Sequence, residues 1–176
     1  MYEKNAVLHA LCTRRSVRSY DSTKPVEREK LGRILTAGQY APTGRNRMST
    51  KFVVVQEPEL LHKLSKMNAA ILGTESDPFY GAPVAVAVLA DSTASTWVED
   101  GSLAIGAMMN AAYALGLGSC WIHRARQIFD SEEGKALLQQ WHISDEYRGV
   151  GFCILGYGIG TLPEPAPRKN DQIYWN

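Results

Sequence analysis

Three arginines and a serine stand within five residues near the N-terminus, and these are Arg14, Arg15, Ser16 and Arg18. An arginine keeps its charge at physiological pH, and its planar guanidinium matches the oxygens of a phosphate or a carboxylate. If the side chains converge in the folded chain, they form a binding site for a dianion. A solvated basic turn without a function explains the same residues, and both interpretations stay open from the local sequence.

A second polar segment, at residues 40–47, follows a predicted helix. Pro42 ends the helix, and Thr43, Gly44 and Asn46 suit a loop that hydrogen-bonds a flat polar ligand. An ordinary turn between two elements is the alternative interpretation.

The cysteines and histidines give little support to metal or disulfide chemistry. The cysteines are odd in number and contain no C-x-x-C pair, and the histidines have no ligand spacing. These residues are Cys12, Cys120, Cys153, His9, His62, His123 and His142. The sequence therefore predicts no metal site, and its unpaired thiols favour a reducing cytoplasm.

Three other kinds of functional site are not supported by the residues around their motifs. The glycines of residues 156–160 are spaced like a dinucleotide-binding loop, but prolines follow where that motif requires a helix. Cys120 and His123 lie three apart in an extended segment, where side chains point to opposite faces, so Cys120 is predicted to be a small buried hydrophobe. Glu99 and Asp100 are predicted at a helix start, where the dipole favours acids. An anion site without a catalytic side chain remains, which suits a cofactor that brings its own chemistry.

The elements that must position these residues follow from the spacing of apolar residues. Helices are predicted over residues 5–13, from 26 to 38, from 58, over 98–115 and from 131. Buried strands are predicted over 51–56, 84–90 and 149–156, with a short extended segment over 119–124. The helix over 98–115 is apolar on nearly every side, which predicts contacts with the chain's own sheet and with a partner subunit. The C-terminal tail, with Tyr174 and Trp175, is also predicted to pack on another surface.

Length and charge limit the remaining classes of function. The chain has 176 residues, of which 45% are hydrophobic and 21% are charged, as expected of one soluble domain spanning residues 1–176. The net charge of +1 predicts no nucleic-acid partner, and no apolar run approaches the length that spans a membrane.

Four motifs follow one another along the chain. They are Arg14-Arg15-Ser16-Val17-Arg18, Ala41-Pro42-Thr43-x-x-Asn46, Gly116-Leu117-Gly118-Ser119-Cys120-Trp121, and Leu155-Gly156-Tyr157 followed by Arg168-Lys169. In these motifs and in their order, the chain resembles the flavin-dependent nitroreductase family from about residue 8 to residue 170. Each motif alone is weak, whereas four in order are strong. The resemblance favours a cofactor site over a basic turn at the arginines.

The resemblance implies an α+β nitroreductase-like fold, in which helices flank a central, mostly antiparallel sheet, and an intertwined homodimer. It also implies a tightly bound FMN in two equivalent sites at the dimer interface. The phosphate, ribityl chain and pyrimidine would be contacted by Arg14, Arg15, Ser16 and Arg18, and the phosphate also by Arg168 and Lys169. A buried phosphate with about two negative charges requires several cations of this kind.

Other positions that match the family would contact the flavin ring. From the other subunit, the ring would be reached by Pro42, Thr43 and Asn46, and Asn68 would hydrogen-bond it. One face of the ring would be lined by Cys120, Trp121, Ile122 and His123, with a backbone N–H near the reactive nitrogen. His123 and Arg124 depart from the glycine or acid typical there, and Thr43 replaces the commoner serine. The chain also lacks room for the extra helices that larger members place over the substrate.

The function implied by the resemblance is that of an oxidoreductase with alternating, ping-pong half-reactions. NAD(P)H would pass a hydride to N5 of the flavin, and a nitroaromatic, quinone or related electron-poor acceptor would then take its place. No side chain would act as a general base, because the protein positions both partners and supports charge on the reduced ring. Two alternatives stay open, a flavin-binding or carrier protein without turnover and the dehalogenating or flavin-cleaving branch of the family.

Overall fold

The structure is a computed structural model that describes residues 5–169 and 171–176. Within these residues, six α-helices and four β-strands form an α+β fold. In chain order, they are α1 (Ala6–Thr13), α2 (Arg28–Gln39), β1 (Thr50–Val55), α3 (Pro58–Leu72), β2 (Val84–Asp91), α4 (Trp97–Ala114), β3 (Gly118–Ile122), α5 (Ala125–Asp130), α6 (Glu132–Gln140) and β4 (Tyr147–Gly156). A short 3-10 turn at Gly44–Asn46 precedes β1.

The four strands form one antiparallel sheet in the order β1-β2-β4-β3, with helices on both faces. On one face, α2 and α4 contribute Ile34, Ile105 and Met108 to a buried cluster. On the other face, α3, α5 and α6 cover the sheet through a second cluster that includes Leu64 and Phe129. A sheet with two apolar faces buries its central strands, and β2 is buried along nearly its whole length. The predicted α+β fold with an antiparallel sheet is confirmed.

Local sequence signals set the ends of several helices. Asn5 caps α1, since its Oδ1 accepts hydrogen bonds from the N–H groups of Val7 and Leu8 at 3.0 Å each. Pro58 stands in the first turn of α3, where its missing N–H costs nothing. Gly116, with a φ of 74°, ends α4 in the left-handed conformation that glycine adopts freely. These helix boundaries agree with those predicted from the sequence.

Two predicted elements differ from the structure. The segment predicted as a buried strand at 51–56 is the edge strand β1, in which Val54 is 36% exposed and Val55 is buried. Its hydrophobic run gave no sign of this, because only pairing in the sheet decides which strand lies at the edge. Helix α5, which has six residues and follows β3 after a two-residue link, was not predicted from the sequence. A helix this short carries less than two turns of periodic pattern.

Helix α4 lies on the sheet with one face buried and the other exposed. Ala104, Ile105 and Met108 are fully buried or nearly so, whereas Val98 is 42% and Leu103 is 50% exposed. The predicted contact with the sheet is therefore confirmed, and the contact with a partner subunit stays a prediction. Across residues 5–169 and 171–176, no helix is both long and apolar enough to cross a membrane.

Candidate functional site

The arginine-rich stretch runs along the edge of the sheet beside β3. Helix α1 ends at Thr13, and the chain then extends so that the Val17 N–H donates to the Ser119 carbonyl at 3.0 Å. The Val17 side chain is buried and packs so closely on Gly118 that an added Cβ there would lie 2.8 Å from its Cγ2. The backbone that carries the arginines is therefore fixed to the sheet, and the side chains have a rigid base.

Arg14, Arg15 and Ser16 line a cleft of about 810 Å³ together with Arg168 of the C-terminal tail. The Nη1 of Arg15 donates to the carbonyl oxygens of Cys12 and Arg14, at 3.0 and 2.7 Å, which orients the guanidinium. The Nη1 of Arg14 and the Nε of Arg15 are buried and have no hydrogen-bond partner among the described residues. Buried donors of this kind require an acceptor. The donor set therefore fits an anion such as the phosphate of FMN.

Two predicted phosphate contacts lie outside this cleft. Arg18 is on the same stretch but exposed, and it does not line the cleft. Its charge acts on Tyr20, whose pKa is raised mainly by burial, and Arg18 offsets that effect in part. Lys169 is exposed next to Arg168 and is likewise not among the lining residues. The structure thus brings Arg14, Arg15, Ser16 and Arg168 together and leaves the other two cations at the periphery.

Asn68 connects α3 to the end of β3. It is fully buried, and its Nδ2 donates to the His123 carbonyl at 2.7 Å. Because a carbonyl can only accept, this contact also fixes which end of the amide faces His123. The remaining Oδ1 is buried without a partner in the described part of the chain. Asn68 thus offers a buried acceptor beside the segment that the resemblance assigns to the flavin ring.

The side chains of that segment do not all face the same way. Cys120 is 3% and Ile122 is 6% exposed, and both belong to the core under α3, α5 and α6. Trp121 packs on the opposite face of the sheet, against Gly151. His123 is exposed. The side chains of Cys120 and Ile122 are thus directed into the core, because alternate residues of a strand point to opposite faces, and only their backbone is available to a ligand.

Two of the three thiols are buried in the core, whereas Cys12 is exposed. Cys120 is the small buried hydrophobe that the sequence predicted, and Cys153 is completely buried on the other face of the sheet. Burial raises the pKa of Cys153 to about 12, with the charge of Arg14 acting in the opposite direction. A thiol with such a pKa stays protonated and is not a nucleophile at neutral pH. In the described part of the chain, no three His, Cys, Asp or Glu residues gather as a metal site would require.

The loop with Pro42, Thr43 and Asn46 lies before β1, at the other edge of the sheet from the arginine stretch. Pro42 and Asn46 are exposed, and Thr43 is half-buried. Neighbouring strands are separated by about 4.8 Å, so the two edges of this sheet are roughly 14 Å apart. Within one chain, the loop and the arginine cleft therefore form two separate surfaces.

One residue of this region was missed as a functional candidate. Asp100 was predicted at a helix start, and it does lie in the first turn of α4, but it is buried and hydrogen-bonded to the loop at Gly44 and Ser49. Burial alone would raise its pKa, but hydrogen bonds from Ser49, Gly44 and Thr96 outweigh it and lower the pKa below its ordinary value. The sequence does contain a signal for the burial of Asp100, because its spacing places it on the buried face of α4 with Ala104 and Met108.

Comparison with known proteins agrees with this architecture. The model of the nitroreductase family matches residues 11–78 and 72–157. A nitroreductase with bound FMN from Bacteroides fragilis has a TM-score of 0.88 and 29% identity, covering 97% of this chain and 98% of that one.

Two curated relatives give names that concern flavin and nicotinamide chemistry. A protein of Archaeoglobus fulgidus, provisionally named NADH dehydrogenase/NAD(P)H nitroreductase, is 34% identical over 168 residues, or 93% of this chain and 87% of the relative. An FMN reductase [NAD(P)H] of Bacillus subtilis is 29% identical over 139 residues, which is 69% of this chain and 55% of the relative. With the family model and the Archaeoglobus relative both covering most of its length, this chain belongs to the nitroreductase family.

Proposed function

We propose that the protein is an FMN-dependent oxidoreductase that takes electrons from NAD(P)H and passes them to electron-poor acceptors such as nitroaromatics or quinones. The observation that carries the proposal is that Arg14 and Arg15 line one cleft and that each has a buried guanidinium nitrogen without a partner among the described residues. The choice of cofactor and reductant in this proposal comes from the related proteins, since one contains FMN and another is named as an NAD(P)H-dependent FMN reductase.

In this proposal, the cleft binds the phosphate of FMN. Arg14 and Arg15 donate to its oxygens, Ser16 adds a hydroxyl, and Arg168 closes the cleft from the tail. Charge-assisted hydrogen bonds from several guanidinium groups compensate for the desolvation of a dianion. Arg18 and Lys169 contribute from the periphery as exposed charges, which act more weakly because solvent screens them.

The ring of the flavin lies, in this proposal, near the end of β3. Asn68 offers its free Oδ1 to an N–H group of the ring, while its Nδ2 holds the His123 carbonyl. Trp121, His123 and the backbone of Cys120 and Ile122 line the ring. FMN supplies the hydride chemistry when it is bound. The side chains described here bind and orient it, and none is required to act as a general base.

The proposal includes a homodimer, because one chain holds only part of the site. Pro42, Thr43 and Asn46 precede the edge strand β1, whereas the arginines lie beside β3 at the opposite edge of the sheet. Exposed apolar side chains are available to cover such an interface, on α1, on α4 and in the tail. They include Val7, Leu8, Leu11, Leu103, Ile173, Tyr174 and Trp175, which are between 46% and 91% exposed. A second copy that buries these residues brings its loop to the flavin of the first.

The test is a visible absorption spectrum of the purified protein, before and after addition of NADPH without oxygen. We expect a flavin spectrum that bleaches on addition of NADPH and returns when a quinone or nitroaromatic is added. A bound flavin that NADPH and NADH both leave oxidised would favour the carrier alternative. A colourless protein that also fails to take up added FMN would contradict the proposal.

A further inference from the structure

The loop with Thr43 and Asn46 is held at both ends by one carboxylate. Asp100, in the first turn of α4, is 2% exposed. Its Oδ1 accepts a hydrogen bond from the Gly44 N–H at 2.9 Å, and its Oδ2 accepts one from the Ser49 hydroxyl at 2.6 Å. The Ser49 carbonyl in turn accepts from the Asp91 N–H at 2.9 Å. The carboxylate therefore joins residues 44–49 to α4 and to the sheet at once.

Between these two ends, the backbone adopts conformations that side chains disfavour. Arg45, Asn46 and Met48 have positive φ angles of 55°, 55° and 48°. Left-handed backbone at residues other than glycine persists where the surrounding structure imposes it, and such residues are concentrated at ligand-binding sites. Thr43 adds a cross-link inside the loop, since its Oγ1 accepts from the Met48 N–H at 3.1 Å. The loop is therefore held in shape by contacts within this chain.

Gly44 is packed against the start of α4. A Cβ added to Gly44 would lie 2.1 Å from Oγ1 of Thr96, closer than any side chain can approach. A side chain at this position must push the loop and Thr96 apart. Gly44 thus gives a means of disturbing the contact between the loop and the start of α4 while the carboxylate of Asp100 is kept.

We propose that Asp100 is a positioning residue of the FMN site, which preforms residues 43–49 so that Thr43 and Asn46 meet the flavin bound by the partner subunit. This inference rests on the proposed function. Asp100 itself is buried beneath the loop and acts through it. When the binding-competent shape of a protein is only partly populated, the apparent affinity for its ligand falls by that fraction. Release of the loop is therefore expected to weaken FMN binding.

The first test is a titration with FMN, in which binding is monitored by the quenching of flavin fluorescence. Asp100→Ala removes both acceptors and is expected to weaken FMN binding about 10- to 100-fold. Asp100→Asn is expected to recover most of the affinity, because its Oδ1 still accepts from Gly44 and its amide donates to the Ser49 hydroxyl. Glu99→Gln, an exposed neighbour in the same helix turn, is the control and leaves the affinity unchanged. Wild-type affinity in Asp100→Ala would overturn the inference.

A second variant tests the inference if Asp100→Ala does not fold. Gly44→Ala keeps the carboxylate and displaces the loop through the contact with Thr96. We expect weakened FMN binding with an unchanged circular dichroism spectrum. A folded Gly44→Ala protein that binds FMN as tightly as the wild type would overturn the inference.

Mixed dimers test whether the loop acts on the other subunit. A chain with Arg14→Ala and Arg15→Ala is co-expressed with an Asp100→Ala chain, and the mixed dimer is isolated through two different affinity tags. One of its sites then combines intact arginines with an intact loop, so we expect one tightly bound FMN per mixed dimer and none in either parent. A mixed dimer without tight FMN would overturn the inference. A wild-type protein that binds no FMN would overturn the proposed function as well, and that outcome is distinct from all the others.

Discussion

Buried polar atoms without partners identify the residues on which the binding site depends. In residues 5–169 and 171–176, these atoms are Nη1 of Arg14, Nε of Arg15 and Oδ1 of Asn68. Each unpaired atom of this kind costs about 1–3 kcal/mol, so a ligand that pairs with all three is strongly favoured. All three belong to residues that the family resemblance had assigned to FMN. The unpartnered buried atoms and the family resemblance therefore indicate the same residues.

Asp100 makes the stability of the fold depend on pH in the acid range. Its native pKa is lowered, because hydrogen bonds from Ser49, Gly44 and Thr96 outweigh the effect of burial. A lowered native pKa gives a stabilisation that is complete above the unfolded pKa of about 3.9 and is lost as the pH falls through the native pKa.

We therefore expect Asp100→Ala to lower the free energy of unfolding by about 1–3 kcal/mol at pH 7. At a pH low enough to protonate the wild-type carboxyl group, the difference is smaller, because the wild type has lost its advantage. Urea unfolding of the wild type and of Asp100→Ala at both pH values measures this difference in the free energy of unfolding. The exposed neighbour serves as control, and Glu99→Ala is expected to change the free energy by less than about 0.5 kcal/mol. Equal losses at both pH values would show that Asp100 is not ionised in the native protein.

At the scale of elements, the junction between β3 and α5 is strained. Arg124, the residue before α5, has a φ of 77°, a left-handed conformation that costs a residue with a Cβ roughly 1–2 kcal/mol. The neighbouring His123 carbonyl is held by Asn68, and Ala125 is buried, so the backbone cannot relax. The strain lies next to the segment proposed to line the flavin ring.

Arg124→Gly is expected to raise the free energy of unfolding by about 1 kcal/mol, because glycine adopts this conformation without strain. A glycine placed two residues later is expected to change the free energy of unfolding in the opposite direction. Arg126→Gly, at an exposed position inside α5, is expected to lower it by about 1 kcal/mol. Urea unfolding of both variants measures the pair. Destabilisation by Arg124→Gly would mean that the contacts of the arginine side chain and the added entropy of the unfolded chain together exceed the backbone strain.

The sequence predicted most elements because their signals are local. The cap at Asn5, the proline at position 58 and the glycine at 116 each act within a few residues, and the apolar runs of β2 and β4 are continuous. The exposure of β1 and the hydrogen bonds from Gly44 and Ser49 to Asp100 were not predictable in this way. Both depend on pairing between distant segments, since Asp100 contacts Gly44 from 56 positions away. Asn68 was assigned to the flavin only through the family resemblance, because its partner His123 is equally remote.

At the scale of the whole molecule, apolar surface remains uncovered on the single chain. On α1, Val7 is 68%, Leu8 is 46% and Leu11 is 53% exposed, and in the tail Trp175 is 91% exposed. The three side chains on α1 fall on one side of the helix, and exposed apolar side chains grouped in this way mark an interaction surface. The proposed homodimer would bury them and would bring the loop before β1 to the second flavin site.

We expect light scattering to give twice the mass of one chain for the wild type, and a monomer for the double variant Leu8→Glu/Leu11→Glu, because two buried charges oppose association. The monomer is expected to lose FMN, since each site needs both chains. Leu72→Glu on α3, at a position with 45% exposure, is the matched control and keeps the dimer. A wild-type monomer that retains FMN would contradict the shared site.

The central claim is that the cleft of Arg14 and Arg15 binds the phosphate of a flavin, and the comparison of FMN with riboflavin tests it most directly. The two ligands share the ring and the ribityl chain and differ in the phosphate. We expect the wild type to bind FMN at least about 100-fold more tightly than riboflavin, from two charge-assisted hydrogen bonds. The double variant Arg14→Ala/Arg15→Ala should lose most of this preference, whereas Arg33→Ala, which removes a surface arginine paired with Glu29, should keep it. Equal affinities of the wild type for FMN and riboflavin would contradict the account.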